Sequence, residues 1–334
     1  MGDVVLTVPV IQNLLKKYPD TQITLLTNSF FHPFFDGIPN LTLYPVDLKG
    51  KHKGFLGLSK LVKELNHNQK FDVVIDLHSV IRTWVIGFLF KLRGIPIYRI
   101  DKGRADKKAF VQNKIRKALP HSTERYQTVF KKAGFDFTLE KSLIHPKNEI
   151  DFDVHAHINP KEINIGIAPF AAHQSKQWGM DKVSEFIEQI NKKHKAIFYL
   201  FGGGKSEVDQ LNTLAETYDN VTNLAGRFTL TQELHLIQNL SVLVAMDSGN
   251  MHIATLLGIP VISVWGGTHP DIGFSALYQP VENSIQISTD LLPCRPCSVF
   301  GTNECSLKEK PFACMRQIEP EMLIQRLFKL KIVQ

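Results

Sequence analysis

Short aliphatic runs alternate along this chain with longer segments in which apolar residues recur every three to four positions. The first pattern predicts buried strands and the second amphipathic helices, and their alternation predicts parallel sheets joined by crossover helices. In the first half, strands are predicted at 22–27, 41–46 and 72–77, and helices at 8–18, 55–66 and 80–92, with further helix within 106–134. Residues 143–161 carry Pro146, Asn148, Pro160 and several charges without periodicity, which reads as an interdomain connection. The pattern restarts with strands at 163–168, 196–201, 221–224, 242–246 and 261–265 and helices at 182–193, 205–218, 231–238 and 250–257. The expectation is an α/β chain of two doubly wound, Rossmann-like domains facing a cleft. Its parts are a domain at 1–150, a linker at 151–162 and a domain at 163–334 whose last helix packs back on the first.

The opening Met1-Gly2-Asp3-Val4 reads as a loop entering a helix, with no strand before it. A doubly wound domain starts on a strand that becomes central in its sheet. The first strand of the N-terminal domain therefore reads as missing, and the recorded start as internal to a longer frame.

Composition narrows the class. A chain of 334 residues has room for two domains. The longest apolar candidate, 80–92, is interrupted by Arg82 and Lys91 and is shorter than the roughly 18 residues of a membrane span. No secretory signal pattern opens the sequence, so a cytoplasmic protein is expected. The net charge is +7, and residues 101–132 hold ten Lys or Arg against three acids. That segment reads either as a solvated helical face or as a site for an anionic substrate or membrane surface, with Arg104, Lys107 and Lys108 as candidate contacts. No zinc finger, helix-turn-helix or RNA-recognition signature accompanies the charge, and no nucleic-acid partner is expected.

Three strand-to-helix turns carry candidate chemistry. The strand 242–246 runs into Asp247-Ser248-Gly249-Asn250-Met251-His252, a polar turn opening a helix, where free N–H groups and the helix dipole favour phosphate. The structural alternative is a simple helix cap worth about 1 kcal/mol. A second strand leads into a polar loop carrying Lys176, placed to offset charge on a leaving diphosphate or else a plain surface lysine. The third turn, Gly202-Gly203-Gly204-Lys205, lacks the spacing of a phosphate loop or a dinucleotide fingerprint, which disfavours kinase, ATPase and dehydrogenase readings. Cys294, Cys297, Cys305 and Cys314 all fall within a short stretch. Four thiolates can bind zinc tetrahedrally, but the second pair lacks zinc-ribbon spacing, so a structural metal and packed thiols both stay open.

Taken in order, several segments resemble the glycosyltransferase family that contains the ADP-heptose:lipopolysaccharide heptosyltransferases, glycosyltransferase family 9. The matching stretches include Gly2-Asp3-Val4, Asp72-Val73-Val74-Ile75-Asp76-Leu77-His78, Lys176-Gln177-Trp178, Asn223-Leu224-Ala225-Gly226, Asp247-Ser248-Gly249-Asn250-Met251-His252 and Gly266-Gly267-Thr268-His269-Pro270. The resemblance runs nearly end to end, and the Asp-Ser-Gly-x-Met-His piece is its most specific part. It implies a GT-B fold, with the acceptor on the N-terminal domain and a nucleotide sugar, ADP-heptose, on the C-terminal one. Asp3 matches the family's base for the acceptor hydroxyl, and Lys176 its lysine on the donor phosphates. Asp247 matches the acid near the donor sugar, and Ser248, Gly249, Met251 and His252 the diphosphate turn; Gly202 and Thr268 are carried over as further donor contacts. The implied reaction is inverting displacement without metal or other cofactor. Its acceptor is an anionic lipid A–Kdo type molecule, met from the cytoplasmic side in peripheral contact with the inner membrane. Rival readings are a relative using another sugar or acceptor, and a nucleotide-sugar-binding protein without catalysis.

Overall fold

The computed structural model describes residues 1–147 and 152–333. The chain forms two compact units with interleaved borders. The N-terminal unit comprises Asp3–Arg104 and Pro120–Ser142, and the C-terminal unit Met1–Gly2, Ala105–Leu119 and Leu143–Gln334. The expected linker at 151–162 thus falls within the second unit, and its first residue, Asp151, lies outside the described residues.

The N-terminal unit begins with α1 (Gly2–Val5) and α2 (Val8–Lys17). Pro9 sits in the first turn of α2 and two lysines in its last, each where the helix ends tolerate or favour it. Strand β1 (Ile23–Thr27) pairs in parallel with β2 (Leu41–Pro45). Helix α3 (Gly54–Asn68) leads to β3 (Val74–Asp76), and α4 (Ile81–Lys91) to β4 (Ile97–Arg99), which pairs in parallel with β3. The described sheet of this unit is therefore two separate parallel pairs. Helix α5 (Arg104–Val111) starts at the unit's border, and α6 (Ser122–Lys132) is held by a cap in which the Glu124 carboxylate accepts from His121 N at 2.7 Å.

In the C-terminal unit the order is β5 (Asn164–Ala168), α7 (Met180–Asn191), β6 (Ile197–Leu200), α8 (Lys205–Thr217), β7 (Val221–Asn223), α9 (Leu230–Gln238), β8 (Val242–Met246), α10 (Gly249–Leu256), β9 (Val261–Trp265), β10 (Ser284–Gln286), α11 (Ala313–Arg316) and α12 (Pro320–Lys329). All six strands run parallel in the order β7-β6-β5-β8-β9-β10. Counted from β5 this is the 3-2-1-4-5-6 order of a dinucleotide-type doubly wound sheet, whose connections reverse direction between the adjacent strands β5 and β8. Every residue of β5, β8 and β9 is buried, which explains why these strands read as mostly apolar runs, broken by Asn164 in β5 and Ser263 in β9.

Helix α12 packs on α7 within the C-terminal unit, because Leu323, Ile324 and Leu327 continue the core and the Trp178 indole donates to Ile318 O at 2.8 Å. Among the described residues no helix is long and apolar enough to cross a membrane.

One acid in this fold is placed against its own ionisation. Burial on α9 raises the Glu233 carboxyl from its ordinary 4.5 to about 7. The native state therefore keeps this proton while the unfolded chain releases it, and stability is lost as pH rises from about 4.5 to about 7. Glu233→Gln should match the parent near pH 4.5 and exceed it above pH 7 by up to about 3 kcal/mol, a difference that urea unfolding at the two pH values measures.

Candidate functional site

Ligands of open parallel sheets bind beyond the carboxyl ends of the strands where connections reverse. Here those strands are β5 and β8, so the loop after Ala168 and the turn after Met246 lie side by side. The loop after β5 makes a short 3-10 turn, Gln174–Lys176. Its central residue, Ser175, is 1% exposed and ties three segments together. Ser175 N donates to Thr302 O (3.0 Å), its hydroxyl accepts from Thr302 N (2.8 Å), and its carbonyl accepts from Gly267 N (2.8 Å). A side chain at Gly266 would overlap the Met315 sulfur and the Ser175 carbonyl, so this approach requires glycine there.

With Ser175 fixed, Lys176 is delivered to Asp247 with Nζ 3.0 Å from Oδ2, and the Thr268 hydroxyl donates to the same oxygen at 2.8 Å. Asp247 is 6% exposed and Thr268 fully buried, so the three polar groups form a largely desolvated cluster at the reversal point. An ammonium has three donors, and one directed at Asp247 leaves others for an anion. Ser248 caps α10 without a side-chain cap bond, and its buried hydroxyl has no hydrogen-bond partner among the described residues. An orphaned buried hydroxyl beside a free helix N-terminus is a place for a ligand oxygen. On α10, Met251 and His252 are buried; a Cβ at Gly249 would lie 3.1 Å from the Met1 sulfur, and one at Gly2 3.1 Å from the His252 ring.

Gly202 follows β6, one strand away from the reversal, and the adjoining amide of Gly203 donates to the Glu207 carboxylate at 2.7 Å. That turn is capped by its own helix.

Behind the cluster lies a residue that the motifs did not single out. Arg295 is 0% exposed, and its guanidinium donates to Gly266 O at 2.5 Å, to Trp265 O and Thr268 O at 3.1 Å each, to Ile287 O and to the Gln286 side chain at 3.0 Å. It holds the Thr268 loop in place, and burial lowers its pKa. The only sequence signal was an arginine between two cysteines.

The four cysteines are free thiols. Burial raises Cys294 and Cys297 and pushes Cys314 up to about 11, while the Cys305 sulfur accepts from Phe312 N at 3.2 Å. Among the described residues no three His, Cys, Asp or Glu side chains are arranged to hold a metal. The four thiols nevertheless lie within electrostatic reach of one another, with Cys314 buried and Cys297 exposed.

In the N-terminal unit, Asp3 sits exposed on α1, its carbonyl accepting from the Tyr126 hydroxyl at 3.2 Å. Burial first, and the Asp3 carboxylate second, raise the Tyr126 pKa. The turn after β3 is built by Asp76, whose Oδ1 accepts from His78 N (3.0 Å) and Ser79 N (2.8 Å) while Oδ2 lies 3.4 Å from Arg99 Nε. Ser79 takes φ +44° there. Desolvation and Lys102 lower the His78 pKa, and Asp3 and Asp76 act against that shift.

The three predicted acceptor cations divide between the units. Arg104 is exposed in the N-terminal unit; Lys107 and Lys108 belong to the other. Lys107 is 5% exposed, with its ammonium 4.0 Å from the Phe274 ring centre, and Phe110 packs on His269 at 5.5 Å.

The profile of the family described as glycosyltransferase family 9 (heptosyltransferase) matches residues 58–308. Among curated relatives, the lipopolysaccharide core heptosyltransferase OpsX of Haemophilus influenzae is 25% identical over 290 residues, 86% of this chain and 82% of the relative. The lipooligosaccharide heptosyltransferase 2 of Campylobacter jejuni is 23% identical over 342 residues, 99% and 96% of the two chains. The solved glycosyl transferase family 9 structure from Veillonella parvula shares the fold at a TM-score of 0.75 and 21% identity, covering 99% of this chain and 94% of that one. The Escherichia coli heptosyltransferase WaaC with ADP does so at 0.68 and 17%, covering 99% and 97%.

Lys176→Met would leave the Asp247 carboxylate desolvated with Thr268 as its remaining partner, and should lower stability by about 3 kcal/mol. Adding Asp247→Asn, which removes the stranded charge, should restore most of that loss. Chemical denaturation of the single and double variants at neutral pH measures both; a double variant no more stable than the single would show that the pair is not the cause.

Proposed function

The chain belongs to glycosyltransferase family 9, the heptosyltransferase family, and on that premise we propose that it moves a heptose, or a closely related sugar, from an ADP-linked donor to the inner core of lipopolysaccharide. The observation that carries this reading is the Lys176–Asp247–Thr268 cluster beside the orphaned Ser248 hydroxyl at the reversal point of the C-terminal sheet. The relatives support both substrates: OpsX is named a lipopolysaccharide core heptosyltransferase, which supports the acceptor, and WaaC was solved with ADP, which supports the donor.

In this reading the C-terminal unit holds the donor. The diphosphate takes the free N–H groups at the start of α10 and the Ser248 hydroxyl, and Lys176 uses its remaining donors on the phosphate oxygens. As the bond from the anomeric carbon to the phosphate oxygen breaks, negative charge grows on the departing ADP, and a preorganised ammonium stabilises it more than it stabilised the bound donor. Asp247, 3.0 Å away, keeps that ammonium aimed. In the N-terminal unit, Asp3 takes the acceptor hydroxyl proton while that oxygen attacks the anomeric carbon from the face opposite the leaving group, which inverts the centre. Positive charge is supplied by side chain and helix terminus, so the transfer calls for no metal. Arg104 and Lys108, both exposed, attract the anionic acceptor at the cytoplasmic face of the inner membrane.

Incubating the chain with ADP-heptose and a Kdo-bearing acceptor should release ADP and extend the acceptor. Release of ADP from another ADP-sugar alone, with none from ADP-heptose, would move the protein to a different donor within the family. Bound donor without turnover would make it a binding protein.

Lys176→Ala should lower kcat about 100- to 1000-fold. Asp3→Asn should lower it about 100- to 10,000-fold while leaving donor affinity, measured by calorimetry, within a few-fold of the parent. Turnover should also persist in excess chelator. Loss of turnover with an unchanged melting transition, rescued by magnesium, would overturn the metal-free mechanism.

A further inference from the structure

Helix α4 turns an apolar face to solvent. Ile81, Trp84, Phe88 and Leu92 recur at helical spacing and are 84%, 54%, 55% and 68% exposed. Such spacing puts them on one side of the helix. Leu89 and Phe90 are instead buried among Leu58, Leu61, Val62 and Leu65 of α3, so α4 already has its core contact and the outer stripe is additional. At the start of α3, Phe55 and Leu56 are 59% and 82% exposed. Soluble proteins rarely leave so many large apolar side chains uncovered on two packed helices without a use for them.

The charges beside this face are mainly positive, with Glu64 of α3 paired to Lys51 at 2.9 Å. No Asp or Glu occurs in residues 48–63 or 77–100. Those stretches carry Lys49, Lys51 and Lys53 before α3, and Arg82, Lys91 and Arg93 on and after α4, all exposed. A second copy pairing through the same face would bring these cations together, so self-association is opposed by charge. An anionic bilayer surface matches both features: aromatic and aliphatic side chains enter the headgroup boundary and lysines and arginines meet the lipid phosphates. Helix α4 has 11 residues. At about 1.5 Å per residue it is roughly half the length needed to cross the hydrocarbon core, so it can lie in the interface and cannot span it.

We infer that the outer face of α4, with the start of α3, docks the enzyme on an anionic lipid surface. The inference takes its use from the proposed lipid-linked acceptor, but the contact can be read without any sugar transfer.

Trp84 makes it directly observable. The other two tryptophans, Trp178 and Trp265, are 2% and 0% exposed, so a change of environment on docking is reported by Trp84. With vesicles of phosphatidylethanolamine and phosphatidylglycerol, emission of the full-length protein should move to the blue and be quenched by brominated lipid. Added salt or phosphatidylcholine vesicles should weaken the response. Phe88→Ser/Leu92→Ser should bind these vesicles at least about tenfold more weakly with an unchanged melting transition, since both side chains face solvent. Leu56→Ser, on the neighbouring helix, is the second variant if that pair fails to fold, and should also weaken binding.

Emission unmoved by vesicles would overturn the inference. So would undiminished vesicle binding in both folded variants, or a blue shift that grows with protein concentration in the absence of lipid, which would mark the face as a contact between copies. Vesicle binding without turnover on a Kdo acceptor would leave the docking surface standing and sink the proposed function. Turnover on a delipidated acceptor without vesicle binding would do the reverse.

Discussion

A guanidinium buried to zero exposure and answered by carbonyl oxygens is the constraint from which the C-terminal site is built. Taking a charge out of water costs several kcal/mol unless its donors are satisfied, and Arg295 satisfies them on Gly266, Trp265, Thr268, Ile287 and Gln286. Those acceptors belong to the end of β9, the loop after it, the end of β10 and the residue beyond. Arg295 therefore joins two strand ends through one planar group, a geometry a lysine could not copy. Thr268 is aimed at Asp247 as a consequence, and Asp247 at Lys176. The polar cluster is thus the outer end of a hydrogen-bonded chain whose inner end is an arginine that no ligand need touch.

Much of this fold was legible in one dimension, and the reason is burial. Val242–Met246 and Val261–Trp265 are buried at every residue and were predicted to the residue, because a strand covered on both faces is nearly all apolar; the one polar member, Ser263, is satisfied by the Trp265 indole at 2.8 Å. Strands β4 and β10 escaped: each is three residues long and only half-buried, and β10 contains Ser284 and Gln286, so neither alternation nor an apolar run could mark it. The turn at Asp247 and the loop at Lys176 were both identified as phosphate-type features. Their meeting at 3.0 Å follows from the strand order that sets β5 beside β8, which a linear pattern does not contain. Arg295 was invisible for the opposite reason, since an arginine in a loop is expected at the surface and nothing local says otherwise.

The two units carry their polar groups differently. In the C-terminal unit the key carboxylate is desolvated and paired, a setting that holds a charged ligand in fixed geometry. In the N-terminal unit Asp3 is exposed, while Asp76 spends its carboxylate on shaping a turn and on Arg99, whose guanidinium also stacks 4.4 Å over Trp84. The indole that faces solvent on α4 is thus backed by the same arginine that steadies the turn carrying His78.

Ser175 bonds with its own amide, hydroxyl and carbonyl to segments that are far apart in the chain, Thr302 on one side and Gly267 on the other. Three loops far apart along the sequence are therefore a single part. Grafting one of them from a homologue with different sugar preference would carry half of each interlocking contact and lose the rest. Under the proposed donor assignment, sugar preference would change by exchange of the whole trio, or by point changes that leave the Ser175 junction untouched.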